Sequence, residues 1–214
     1  MYNTVLFDLD GTLTDSGNGI TKSVAHALKK YGIENPEMET LRKFVGPPLV
    51  ASFQKYYSFS EEQANEAVSY YREYYTVKGI YENEVYPGVE EFLMQLRKSG
   101  RKLVVATAKP EKFARIVLEH FELAKYFDLI AGATLDQSRI NKTQVITYAL
   151  EQFQITDLSQ AVMVGDREDD INGAKANGLD SIGVLYGYGS RAELETAGAT
   201  WIAEQVEDIW KYLG

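Results

Sequence analysis

The chain contains no cysteine, two histidines and five prolines in 214 residues. The missing cysteine excludes disulfides and thiolate metal sites. The two histidines, His26 and His120, both fall in amphipathic helical stretches and read as ordinary surface or packing residues. No apolar run approaches the roughly 18 residues that would suggest a membrane span. The N-terminal stretch also lacks the basic start and apolar segment of a signal peptide, so a cytoplasmic protein is expected. Positive charge is scarce as well: 22 Lys and Arg face 31 Asp and Glu, for a formal charge of −9. That balance argues against a general nucleic-acid or anionic-membrane surface, and any anionic ligand must be attracted locally. Internal repeats and low-complexity tracts are absent from the sequence. What remains is an ordinary globular composition, 45% hydrophobic and 25% charged, which fits one large domain or a domain carrying a smaller insertion.

From Lys102 onward, short apolar runs alternate with amphipathic stretches, the pattern of strand-helix-strand units on a parallel sheet. Strands are expected at Thr4 to Phe7, Leu103 to Ala106, Leu129 to Ala131, Ala161 to Val164 and Ser181 to Val184. Their near-continuous apolar character suits strands covered on both faces. Helices are expected at about Glu111 to Phe121, Lys142 to Gln152 and Asp169 to Asn177, the last stopped by Gly178. Trp201 and Ile202 suggest an edge strand before a final helix near Val206 to Leu213. Residues 17 to 84 break this rhythm, offering helical patterns without a convincing strand between them. Ile20 to Tyr31 is one such pattern. Ser60 and Gln63 form a capping-box signature before a tyrosine-rich helix running to about Val77. Tyr70, Tyr71, Tyr74 and Tyr75 recur there at helical spacing, which reads first as a packed or half-buried face. The sequence therefore predicts an α/β core, 1–15 with 85–214, and an all-helical insertion, 16–84, closed by the "YPGV" turn at Tyr86 to Val89.

In an open parallel sheet, ligands bind outside the carboxyl ends of the strands. That rule selects Asp8 and Asp10 after the first strand, Thr107, Ala108 and Lys109 after the second, and Gly165 and Asp166 after the fourth. Asp170 follows four residues later, and Lys142 opens the helix before that strand. Converging carboxylates repel unless a hard divalent cation relieves them, and an all-oxygen ligand set suits magnesium best. Asp166 and Asp170, spaced i, i+4 in "GDREDD", can address one ion if a helix starts near Arg167, while Glu168 and Asp169 point elsewhere. Favourable charge at a helix N-terminus is the plainer reading of that acid cluster alone. Asp8 and Asp10 at the end of another strand turn it toward metal binding.

Such a set suits phosphate-ester hydrolysis. The uncatalysed reaction is slow enough to require up to about 10²¹-fold acceleration, whereas one general acid or base supplies about 10² to 10⁴. A carboxylate can attack phosphorus to give an aspartyl phosphate, and a second carboxyl can handle the proton. Gly11, Thr107 and Lys142 offer a backbone N–H, a hydroxyl and a cation to the phosphoryl oxygens.

"DLDGT" at Asp8 to Thr12, Thr107 ending "KLVVAT", Lys142, and "VGDREDD" at Val164 to Asp170 resemble, in order and strand context, the four motifs of the haloacid dehalogenase superfamily of phosphohydrolases. The resemblance covers essentially the whole chain and implies a Rossmann-like, doubly wound parallel core with an α-helical cap. It implies that Asp8 is the nucleophile and Asp10 the general acid/base, with Thr107 and Lys142 holding the phosphoryl group. Magnesium would be held by the Asp8 carboxylate, the Asp10 carbonyl and Asp166, with Asp170 direct or through water. "TAKP" at Thr107 to Pro110 and "LYGYGS" at Leu185 to Ser190 look like the phosphoglycolate phosphatase or 5′-nucleotidase branch. Ala108 stands where many members carry Asn; its N–H can still meet phosphate, but a side-chain contact is lost. "RKFVGPPL", Arg42 to Leu49, resembles the cap loop that faces the active site, which makes Arg42 and Lys43 candidate substrate contacts. The implied partner is a small phosphorylated metabolite: phosphoglycolate, a nucleoside monophosphate or a sugar phosphate.

Most rival readings are distinguishable in the sequence; a phosphomutase is told apart only by its product. A receiver domain also combines an acidic magnesium site with Thr and Lys, but its phospho-accepting Asp lies after a later strand and has no cap. A phosphomutase of the same superfamily would return the phosphoryl group to a sugar. The two histidines disfavour a histidine-based phosphatase. Ser190 lacks the Gly-x-Ser-x-Gly context of a nucleophile and reads as a helix N-cap. "GAKANG", Gly173 to Gly178, lacks the ending of a P-loop. Lys109, before a proline at a strand end, reads equally as phosphate support or as a solvated side chain.

Overall fold

The apolar run Thr4–Phe7 forms β1, and all four of its residues are buried. The structure, a computed structural model, describes every residue except 35 and 137. After β1 come β2 (Thr14–Asp15), α1 (Gly17–Lys29), α2 (Leu49–Tyr57), α3 (Glu61–Tyr75) and β3 (Glu84–Val85). Helices and strands then alternate: α4 (Val89–Lys98), β4 (Lys102–Pro110), α5 (Glu111–His120), β5 (Leu129–Ala133), α6 (Lys142–Gln152) and β6 (Ala161–Gly165). The chain ends through α7 (Glu168–Ala176), β7 (Asp180–Val184), α8 (Arg191–Ala197), β8 (Trp201–Ala203) and α9 (Trp210–Leu213).

Six strands make one parallel sheet in the order β5-β4-β1-β6-β7-β8, while β2 and β3 pair separately. This is the doubly wound α/β architecture the sequence predicts. β1 is central, with Thr4–Phe7 in register with Lys102–Val105 on one side and Ala161–Val164 on the other. The chain adds β4 and β5 on one side of β1 and β6 to β8 on the other, so a switch point falls beside the end of β1. Leu6, Val104, Ala106, Ala131 and Met163 of the strands pack with Val145, Ile146 and Ala149 of α6 and Ala174 of α7. Helices cover both faces of these strands, which is why the runs are apolar throughout rather than alternating.

Two departures from expectation stand out. β4 does not stop at Ala106: Thr107 pairs with Gly132 and Pro110 with Ala133, with a register shift between them. The ladder carries polar residues past the end of the apolar run and into the site. α4 lies where no element was expected, although Val89, Phe92, Leu93 and Leu96 have helical spacing and all four are buried.

The chain divides into two compact units, Met1–Thr14 with Val85–Gly214, and Asp15–Glu84. The smaller, inserted unit is helical. Its α3 starts at a complete capping box, Gln63 N–H donating to Ser60 Oγ at 3.1 Å and Ser60 N–H to Gln63 Oε1 at 2.9 Å. Tyr71 and Tyr75 are buried and stacked, ring centroids 5.1 Å apart. The hydroxyls of Tyr70 and Tyr74 donate to Glu66 and Glu82. The tyrosine stripe is thus a packed face with a polar margin. Among the described residues, no helix is long and apolar enough to cross a membrane.

Candidate active site

β1 delivers Asp8 to the switch point, where the Asp8 N–H donates to Val164 O at 2.9 Å and ties the strand end to β6. The chain then folds back in one tight turn. The N–H groups of Leu13 and Thr14 both donate to Leu9 O, and the Gly11 N–H donates to Thr14 O at 2.8 Å. Gly11 has φ +89°, and a Cβ there would lie 2.2 Å from Asp166 Oδ2, so only glycine fits. Its N–H is engaged within the turn, and Gly11 shapes the site instead of presenting a free donor. Leu9 is fully buried and points into the core.

Lys142 arrives by a different route. Asn141 and Gln144 form a capping box at the start of α6, with the Gln144 N–H donating to Asn141 Oδ1 at 3.0 Å. Lys142 is therefore the first residue of the helix, and its buried side chain reaches back to the strand ends. Its Nζ lies 2.7 Å from Asp8 Oδ1 and 2.7 Å from Asp170 Oδ1, and donates to Ala106 O at 3.0 Å. Asp170 has a second task, since its Oδ2 accepts the Arg167 N–H at 3.0 Å and caps α7. Asp166 is fixed by the Thr12 hydroxyl on Oδ1 at 3.2 Å and the Tyr188 N–H on Oδ2 at 2.8 Å.

Asp8, Asp166 and Asp170 are buried, and one carboxylate oxygen from each lies within 4.8 Å of the others. Burial pushes the Asp8 carboxyl up to about 6; Lys142 opposes this and Asp170 adds to it. Burial also drives Asp166 well above the ordinary carboxylate range, helped by the charges of Asp170 and Asp8. Burial alone would lower Lys142, but Asp170 and Asp8 outweigh it and hold the ammonium above its usual value. Lys142 thus supplies one positive charge to two of the three carboxylates, Asp8 and Asp170. The remaining negative charge, presented on convergent oxygens, fits a hard divalent cation.

Of the other residues selected from sequence, Thr107 is buried, and its Oγ1 accepts the Lys109 N–H at 3.2 Å, which leaves the hydroxyl proton to donate outward. Ala108, next to it on β4, is half-buried. Arg42 and Lys43 belong to the inserted unit. There Arg42 pairs with Glu39 at 3.0 Å, and the Lys43 Nζ lies 4.2 Å from the Tyr56 ring centroid. Sequence reasoning gave no role to Thr12 or to the Tyr188 backbone, which together orient Asp166. It also left Lys109 undecided; the structure buries it, with its Nζ 2.5 Å from Asp10 Oδ2.

A buried set of carboxylates and lysines, opening at the switch point of a doubly wound sheet, defines an α/β core suited to handling phosphoryl groups. The model for haloacid dehalogenase-like hydrolases matches residues 5–184, and the chain belongs to that family. It is 45% identical to a 5′-nucleotidase of Pseudomonas aeruginosa, over 90% of this chain and 87% of that one. It is 39% identical to tyrosine-protein kinase PtkA of Mycobacterium tuberculosis, over 98% of this chain and 72% of the relative. A crystal structure from Clostridium acetobutylicum, described as a predicted phosphatase, superposes with a TM-score of 0.97 at 52% identity, covering 100% of this chain and 98% of that one. Phosphoglycolate phosphatases are among the more distant homologues.

Proposed function

We propose that the chain is a magnesium-dependent phosphomonoesterase working through phospho-Asp8, with a nucleoside 5′-monophosphate as the first substrate to test. The observation that carries this reading is the buried cluster of Asp8, Asp166 and Asp170, with one lysine paired to Asp8 and Asp170. The substrate class is suggested by the name of the 45% identical relative. Asp8 attacks phosphorus; the P–O bond to the alcohol breaks, and Asp10 gives the departing oxygen its proton. Water then attacks phospho-Asp8, Asp10 takes the water's proton, and phosphate leaves with Asp8 restored. Thr107 and Lys142 hold the phosphoryl oxygens. The Asp8 and Asp166 carboxylates and the Asp10 carbonyl would hold magnesium, with Asp170 direct or through water; bound there, the ion offsets charge on the phosphoryl group. Selection of the leaving group is assigned to the inserted unit, with Arg42 and Lys43 as its candidate charges.

The test is phosphate release from a panel of nucleoside monophosphates, phosphoglycolate and hexose phosphates. Nucleoside monophosphates should lead it. Asp8→Asn should lose on the order of 10⁴-fold or more, as expected when a covalent nucleophile is removed. Near-wild-type turnover of p-nitrophenyl phosphate by Asp8→Asn would sink the chemistry, and a lead for phosphoglycolate would sink the substrate class.

A further inference from the structure

Lys109 is a buried charge for which the chemistry above has no task. Lys142 serves Asp8 and Asp170, whereas the Lys109 Nζ lies 2.5 Å from Asp10 Oδ2, in an ion pair whose side chains are 5% and 8% exposed. The other Asp10 oxygen, Oδ1, is buried with no hydrogen-bond partner among the described residues. The two aspartates of "DLD" therefore face different lysines from different elements, Asp8 the one on α6 and Asp10 the one on β4. Lys109 is brought there by the continuation of β4 past its apolar run, where the register shift between Thr107 and Pro110 sets the strand end against β5.

An aspartate carboxyl has two equivalent oxygens and rotates about its terminal bond. Proton transfer in both half-reactions requires one of them to stay within hydrogen-bond reach of the departing and entering oxygens. A buried ion pair is weak evidence for net stability, because desolvation offsets most of its attraction. Its geometric effect here is definite: Oδ2 is taken and Oδ1 is not.

We propose that Lys109 is a positioning residue for Asp10, fixing the carboxyl through Oδ2 so that Oδ1 is the atom that exchanges the proton with substrate. The proposal rests on the reading of Asp10 as acid and base. In the first step the proton on Oδ1 passes to the leaving oxygen as the Asp8–phosphorus bond forms and the ester P–O bond breaks. In the second, a water oxygen bonds to phosphorus, the Asp8–phosphorus bond breaks, and the water's proton goes to Oδ1.

The experiment compares wild type with Lys109→Met, Lys109→Gln, Lys109→Arg and Asp10→Asn on p-nitrophenyl phosphate, phenyl phosphate and an alkyl phosphate. Steady-state kinetics is combined with quench-flow measurement of the phosphoenzyme. Lys109→Met should lose on the order of 10²-fold in kcat on the alkyl ester, as expected for a misplaced catalytic group. KM should change much less. Formation of phosphoenzyme from p-nitrophenyl phosphate, whose leaving group needs little protonation, should stay fast while its breakdown slows and phosphoenzyme accumulates. Lys109→Arg should recover part of the loss, and Lys109→Met should add little in an Asp10→Asn background. Lys109→Gln carries the same comparison should the methionine variant not fold. A loss equal across all three leaving groups, a rise in KM alone, or an effect that adds fully to Asp10→Asn would overturn the assignment. Asp10→Asn showing no leaving-group dependence would instead place the fault in the underlying reading of Asp10.

Discussion

Lys142 touches Asp8, Asp170 and Ala106 O from a buried position. Removing one partner of a buried ion pair leaves the other charges uncompensated and costs about 3 to 5 kcal/mol. Lys142→Met should therefore lower stability by that order in metal-free buffer, seen as a shift in denaturant midpoint. It should also reduce kcat by about 10²- to 10³-fold, the usual effect of deleting a preorganised electrostatic group. A variant with an unchanged midpoint would show that the pair contributes nothing net. The key position of Lys142 was readable in the sequence because it opens a helix next to a strand end. The local engagement of Lys109 was not readable, since a lysine before proline carries no mark of whether its ammonium finds a carboxylate or water.

Elements position these side chains, and their boundaries can be tested. Asn141 and Gln144 fix where α6 begins, and therefore where Lys142 emerges. Asn141→Ala should cost about 0.5 to 2 kcal/mol, while Asn141→Ser should restore most of it. Phosphate release should fall with the cap, because a frayed first turn releases Lys142. Gly173, inside α7, has a different constraint: a Cβ there would come 2.8 Å from Lys142 Cγ. Gly173→Ala gains up to about 1 kcal/mol of helix propensity but meets an overpacking cost of about 1 to 3 kcal/mol. The crowded atom belongs to Lys142, so kcat should drop further than the melting temperature; a simple gain in stability with full activity would contradict the packing. The central strands were legible from sequence because strands covered on both faces must be apolar throughout. The far half of β4 was hidden because Thr107 and Lys109 are polar for chemical reasons, while the ladder resumes only at Pro110 after a register shift. α4 was missed although its spacing was present, since a short helix next to a turn signal is easily read as connection.

Across the whole molecule, the cluster should make stability depend on pH and, on the proposed reading, on magnesium. Burial raises Asp8 from 3.8 to about 6, so between those values the folded state keeps a proton that the unfolded chain has released. Stability of metal-free protein should then fall as pH rises through that window and level off above it. Asp8→Asn lacks the titrating group, and its melting curves in EDTA should gain on wild type from about pH 4 to pH 7. Parallel curves would contradict the burial argument. Magnesium at 100 times its Kd should raise wild-type stability by about 2.7 kcal/mol, with a smaller gain for Asp166→Asn. Equal gains would place the ion elsewhere.

The central position of β1 also governs how the enzyme comes into being. Thr4–Phe7 is made well before its partners, Lys102–Val105 and Ala161–Val164. During synthesis Asp8 cannot be enclosed by both neighbouring strands until β6 has been made, and pairings so distant in sequence form slowly. Activity should therefore be absent from every nascent fragment that ends before β6 and emerge only when that strand docks.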